Sequence, residues 1–193
     1  MMTVPPTMNP EPELVKSGSS AARLVDNTLF NAVWFQLTWL CAVLGRETLL
    51  PVAVAMLLLH LLLVPRIYRE LLQLSTIAGI GLGIDAMLSA AGVFQFANGV
   101  LVPAWLACVW LAFAAVLGRS LAYLSSRPVL AALAGALVVP FNYWVGARSG
   151  AVSFGYSLPV TLGLMALIWA GLLPLLYRLT ALIARGEQVR EPA

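Results

Sequence analysis

Asp85 is the one acid that falls well inside an apolar stretch of this chain, in the run Gly79-Ile-Gly-Leu-Gly-Ile-Asp85-Ala-Met-Leu. Placing a charged carboxylate at the centre of a bilayer costs about 2.5–3.5 kcal/mol on insertion scales, and such groups pair or line a cavity. The functional reading is a proton- or substrate-binding carboxylate. The alternative is a helix–helix hydrogen bond. Depth in the apolar runs suggests its partners. Arg46 and Glu47 separate the first two runs, Asn142, Tyr143 and Arg148 close the fifth, and Gln95 and Asn98 follow the third. Together they would form one polar, outward-facing pocket for a ligand. Gln36 is a further ligand-binding candidate. It belongs with Asn31, Thr38 and His60 to a second polar set, where interhelical hydrogen bonds worth ~0.6 kcal/mol on average ordinarily serve packing.

Other chemistry is not written here. The chain has a single histidine, so no His-based metal cluster is expected, and no metal or cofactor is implied. It lacks Gly-x-Ser-x-Gly, His-Glu-x-x-His, a phosphate loop and Cys-x-x-Cys, the motifs that mark soluble catalytic sites. Gly79, Gly81 and Gly83 imitate part of a dinucleotide fingerprint, but that fingerprint needs a preceding strand. Ser75, Gly79 and Gly83 recur at spacing four and predict a small-residue face for close helix packing. Gly81, Asp85 and Ser89 repeat the spacing on the adjacent face. Ala131 and Gly135 predict close packing for the fifth run as well, and Pro140 removes a backbone donor there.

The elements that must position these residues are transmembrane helices. Hydrophobic residues are 61% of the chain and charged residues 10%, and a helix needs roughly 20 apolar residues to cross the hydrocarbon core. The apolar runs predict an all-α membrane protein, a bundle of about six spans at 29–45, 48–65, 71–93, 102–118, 128–146 and 158–178. Residues 1–27, rich in Pro and Ser, read as a disordered cytoplasmic tail, 28–180 as the membrane domain, and 181–193 as a second cytoplasmic tail. Lys16, Arg23, Arg66, Arg69, Arg119, Arg127, Arg178, Arg185 and Arg190 then lie on one side, and Arg46 and Arg148 on the other, which uses all eleven basic residues. Basic loops stay in the cytoplasm, so both termini are expected there and the 95–101 loop outside. Scattered charge of this kind argues against nucleic acid. Cys41 and Cys108 lie in apolar runs and read as unpaired small hydrophobes. Trp110 and Trp169, near mid-span, read as core or pocket walls.

Ala42-Val-Leu-Gly-Arg46 recurs as Ala115-Val-Leu-Gly-Arg119. With three spans per half, such a repeat would be inverted, as in many transporters, although Ala, Val, Leu and Gly dominate every span.

Two motifs carry a resemblance. Asn31-x3-Phe35-Gln36-x2-Trp39, with Val43-Leu44-Gly45, and Pro140-x-x-Tyr143-x-x-Gly146-x-x-x-Gly150-Ala151 resemble an uncharacterised bacterial inner-membrane family, a domain of unknown function. The likeness covers nearly all of 29–176. The family pattern has Gly before the proline and Ser two residues after it, where this chain has Val139 and Asn142. The resemblance implies a bacterial inner-membrane location and a link to fatty-acyl or membrane-lipid modification. The expectation is a carrier or binding protein for a small or lipid-like ligand. A membrane-embedded accessory or enzyme acting on acyl chains, and a structural partner subunit, are the alternatives. Membrane lipids, an acyl or small-molecule ligand, and a protein partner or second copy are the expected company.

Overall fold

The computed structural model describes residues 20–188. It contains α1 (Ser20–Val25), α2 (Thr28–Leu63), α3 (Ile67–Ala90), β1 (Phe94–Gln95), α4 (Ala104–Leu117), α5 (Pro128–Arg148), β2 (Ser153–Phe154) and α6 (Leu158–Gln188). Four of these helices, α2, α3, α5 and α6, are long and apolar enough to cross a membrane. Large hydrophobic side chains such as Leu62, Leu137 and Leu167 lie fully outward on the bundle, a surface suited to lipid.

The helix α2 is not straight. Arg46 has φ 45° and ψ −127°, a left-handed backbone that costs a non-glycine residue about 1–3 kcal/mol. At that one residue the chain doubles back. Trp34 and His60, 26 positions apart, bring their rings to 4.9 Å, and Thr38 reaches Met56. The arms 28–45 and 47–63 therefore form a tight helical hairpin, each arm ~26 Å long. Asn27 caps the first arm by accepting from the Phe30 N–H at 2.9 Å. Pro51 sits just past the first turn of the returning arm, where only one ladder bond is lost.

The central element is α4. Its Ala112, Ala114 and Ala115 are wholly buried, and small side chains let α2 and α3 pack closely on it. At 14 residues it is ~21 Å long, shorter than the span expected there. α5 packs mainly on α6; a Cβ on Gly135 would run into the Trp169 carbonyl. At the Arg46 end, α3 and α5 finish alike, with Gly92 (φ 74°) and Gly150 (φ 76°) turning the chain left-handed. Val93 N–H then reaches Leu88 O and Ala151 N–H reaches Gly146 O, both at 2.9 Å. The segments that follow pair antiparallel as β1 and β2, Phe94 opposite Phe154.

Several expectations need correction. Of the tail expected over 1–27, residues Ser20–Val25 form α1, whose Val25 is buried; residues 1–19 and 189–193 lie outside the described residues. The tail expected from 181 is helical to Gln188, so α6 outruns the domain boundary at 180. The packed face of α3 is the one carrying Gly81 and Asp85. Ser75, Gly79 and Gly83 are not on it, and a Cβ on either of those glycines meets nothing. Spacing four fits both faces, and only the neighbours decide. Cys41 and Cys108, by contrast, are free as expected.

Candidate functional site

Asp85 points into the bundle and is 1% exposed. Its Oδ2 accepts from Trp110 Nε1 of α4 at 2.7 Å. The Tyr143 hydroxyl of α5 donates to the same carboxylate, 2.8 Å from each oxygen. Gly81, one helical turn before Asp85, is what admits the indole: any Cβ there would overlap the Trp110 ring. Trp110 in turn stacks on Trp169 of α6, centroids 5.3 Å apart and 14° from parallel, and Tyr143 stacks on Phe94 of β1 at 5.0 Å and 11°. One carboxylate thus joins three helices through two aromatic rings, each stacked on a further ring.

The far side of those rings faces a cavity of ≈ 220 Å³. Phe35, Trp39 and Val43 of the first hairpin arm line it on one side and Val138, Asn142, Tyr143 and Gly146 of α5 on the other. Trp105, Val109, Trp110 and Phe113 of α4 lie between, with Trp169. The lining runs from Leu121 beyond one end of α4 to Phe96 and Val152 at the Arg46 end. It is therefore a groove that follows α4 from Trp105 to Phe113. Val138, 55% exposed, is part of it, so the groove opens through the side of the bundle. Asn142 supplies an amide, whose nitrogen already donates to the Val138 carbonyl at 2.7 Å. Asp85 does not line the groove.

The polar pocket expected from sequence is therefore divided. Asp85 and Tyr143 meet, but Asp85 is sealed behind the groove wall. Arg46 and Glu47 instead line a separate hollow of ≈ 770 Å³ with Thr48 and Asn98. Phe96 and Trp105 belong to both linings. Arg46 Nη1 donates to Gly150 O at 2.8 Å. Arg148 is exposed, with its guanidinium 5.7 Å from the Trp144 ring, and joins neither lining. Gln36 is on the exposed face of its helix.

At the opposite end lies a cluster that sequence reasoning missed. Glu70 is 6% exposed and holds Arg119 bidentately, Oε1 to Nη1 at 2.9 Å and Oε2 to Nη2 at 2.7 Å. His60 Nε2 lies 2.8 Å from the same Oε1. Arg119 also donates to Ala115 O and approaches Asp26 at 3.6 Å. Asn31 accepts from the Ser120 N–H at 3.1 Å, and Gln73 donates to Ala114 O at 2.8 Å. The signal available in the sequence was the Arg66-x-x-Arg69-Glu70 order at a span boundary, where an acid beside arginines looks like a solvated end. Among the described residues no group of three His, Cys, Asp or Glu is placed to hold a metal ion.

Comparison with known proteins gives one match. No curated protein and no solved structure matches the chain. A family model, described as a protein of unknown function, DUF2878, matches residues 28–175, which takes in both arms of α2, all of α3 to α5 and most of α6. Four of its helices are long and apolar enough to cross a membrane, and the chain belongs to that family of unknown function.

Proposed function

We propose that this protein crosses the membrane six times, with both termini in the cytoplasm, and holds the acyl chain of a membrane lipid in the lateral groove. The observation that carries this reading is the groove itself: lined almost wholly by aromatic and aliphatic side chains and open through the flank of the bundle at Val138. Sites of this kind bind apolar ligands by area, with few polar groups to fix orientation. A chain lying there exchanges one apolar surround for another, so its binding rests on close packing against flat rings, the source of helix association in lipid as well.

The hairpin at Arg46 supports six spans, because it divides one long helix into two arms. The distribution of arginines supports the orientation, with Arg46 and Arg148 at one end and Arg66, Arg69, Arg119 and Arg127 at the other. In this reading Asp85 is a positioning residue. It fixes the Trp110 and Tyr143 rings that form part of the groove wall, and it does not touch the ligand.

Lipids brominated along their acyl chains quench tryptophan on contact. Trp39, Trp105, Trp110 and Trp169 line the groove, so the purified protein in such vesicles should lose much of its emission. Val109→Phe, which fills the groove from α4, should restore a large part of it. Equal quenching of wild type and variant, both folded, contradicts the reading.

A further inference from the structure

We infer that the hollow beside the groove, lined by Arg46, Glu47, Thr48 and Asn98, receives the head of the same lipid, and that this head carries a phosphate and a primary amine. The inference rests on the acyl-groove reading. Its first support is continuity. Phe96 and Trp105 line both spaces, so a molecule with its chain against Trp105 has its polar end at the hollow. The groove lining has no charged side chain, only the Asn142 amide, the Tyr143 hydroxyl and tryptophan indoles beside its apolar groups, whereas the hollow has a cation, an anion, a hydroxyl and an amide.

The second support is charge complementarity. Arg46 and Glu47 place one guanidinium and one carboxylate in one lining. A guanidinium has five N–H donors in a fork suited to phosphate oxygens; one of them is given to Gly150 O, which leaves others for a ligand. The Glu47 carboxylate is exposed and accepts from an ammonium. A head with phosphate alone would meet Glu47 as a like charge, and a quaternary amine would give it no hydrogen bond. The third support is the backbone. Arg46 occupies the left-handed turn position, φ 45°, that glycine fills without strain, although Gly45 stands immediately before it. The turn itself does not require arginine; the guanidinium it delivers to the hollow does.

The test extends the bromine measurement. Acyl-brominated phosphatidylethanolamine is mixed at low fraction into unbrominated phosphatidylglycerol vesicles, and the reverse mixture is the comparison. Wild type should be quenched about 3-fold more efficiently by the amine lipid, the scale of one exposed ion pair. E47Q should bring the ratio to about 1 while retaining quenching, whereas R46G, which removes the partner of the phosphate that both lipids carry, should weaken quenching by both and leave the ratio above 1; a ratio unmoved by E47Q overturns the amine assignment. R46G relieves the turn, so its effect is separable from misfolding. A cysteine replacing Asn98 should react with an impermeant reagent from outside, which assigns the head site to the outer leaflet; labelling only from the cytoplasm overturns that assignment. A wild-type ratio of 1, or a preference for the glycerol lipid, overturns the head assignment and leaves the groove reading intact provided Val109→Phe still blocks quenching. If Val109→Phe changes nothing, the groove reading has failed first.

Discussion

Two carboxylates are buried on the same helix, fifteen residues or ~22 Å apart, and they are satisfied by opposite means. Glu70 is held by charge: a bidentate arginine and a histidine bring α2, α3 and the segment after α4 to one point. Asp85 is held by two neutral donors, an indole and a phenol, which join α3, α4 and α5. The difference follows from surroundings. At the Glu70 end, open to a hollow lined by Arg66 and Asp26, a full ion pair is accessible to water at its edge. At Asp85 the partners are aromatic rings that also have to form an apolar wall. The first cluster ties helix ends together, and the second shapes a surface. Burial of an acid therefore says little about its role until the donors, and what lies behind them, are known.

That contrast can be broken experimentally. Glu70→Ala should have the largest effect on stability, because it leaves the mostly buried Arg119 guanidinium without its bidentate partner; losing one partner of a buried pair costs about 3–5 kcal/mol, and the water at the edge of this site puts the loss at the low end. Replacing both Glu70 and Arg119 with apolar residues should recover most of that, as measured by unfolding in detergent, and neither change should alter groove occupancy. A double variant as unstable as Glu70→Ala would show that the pair is more than a satisfied charge. Asp85→Ala should be the milder lesion, because it strands two neutral donors and no charge, the Trp110 N–H and the Tyr143 hydroxyl, at the low end of the unpaired-group range, about 1 kcal/mol each, and it should also loosen acyl quenching. Asp85→Asn keeps an acceptor for the indole and should cost less than about 1.5 kcal/mol. If Asp85→Ala unfolds the protein more readily than Glu70→Ala, the ranking of the two clusters is wrong.

Much of this was legible in the residues. The helical class follows from apolar runs of bilayer length, and Asp85 stands out because lipid excludes a charge. Depth along the helices was enough to name Tyr143 among its neighbours, and mid-span position marked Trp110 and Trp169 as walls. Other features were hidden for physical reasons. Nothing in Leu-Gly-Arg46-Glu47 specifies that the reversal takes a single left-handed residue. Arg119 looks like an orientation charge until Glu70 folds beneath it. Arg148 and Gln36 carry polar groups at plausible depth, but a helix has more than one face, and theirs point outward. The short pairing of β1 with β2, which sets Phe94 against Tyr143, involves too few residues to leave a period in the sequence.

The central claim is that the flank between the first arm of α2 and α5 receives an acyl chain. A phospholipid with a photoreactive diazirine midway along one chain, activated in vesicles holding the protein, tests it most directly. The account predicts adducts concentrated on groove residues such as Val109, Trp110, Val138 and Tyr143, and strongly reduced by Val109→Phe. Adducts spread evenly over the outer surface, on Leu62, Leu137 and Leu167 as often as on the groove, and indifferent to Val109→Phe, would contradict it.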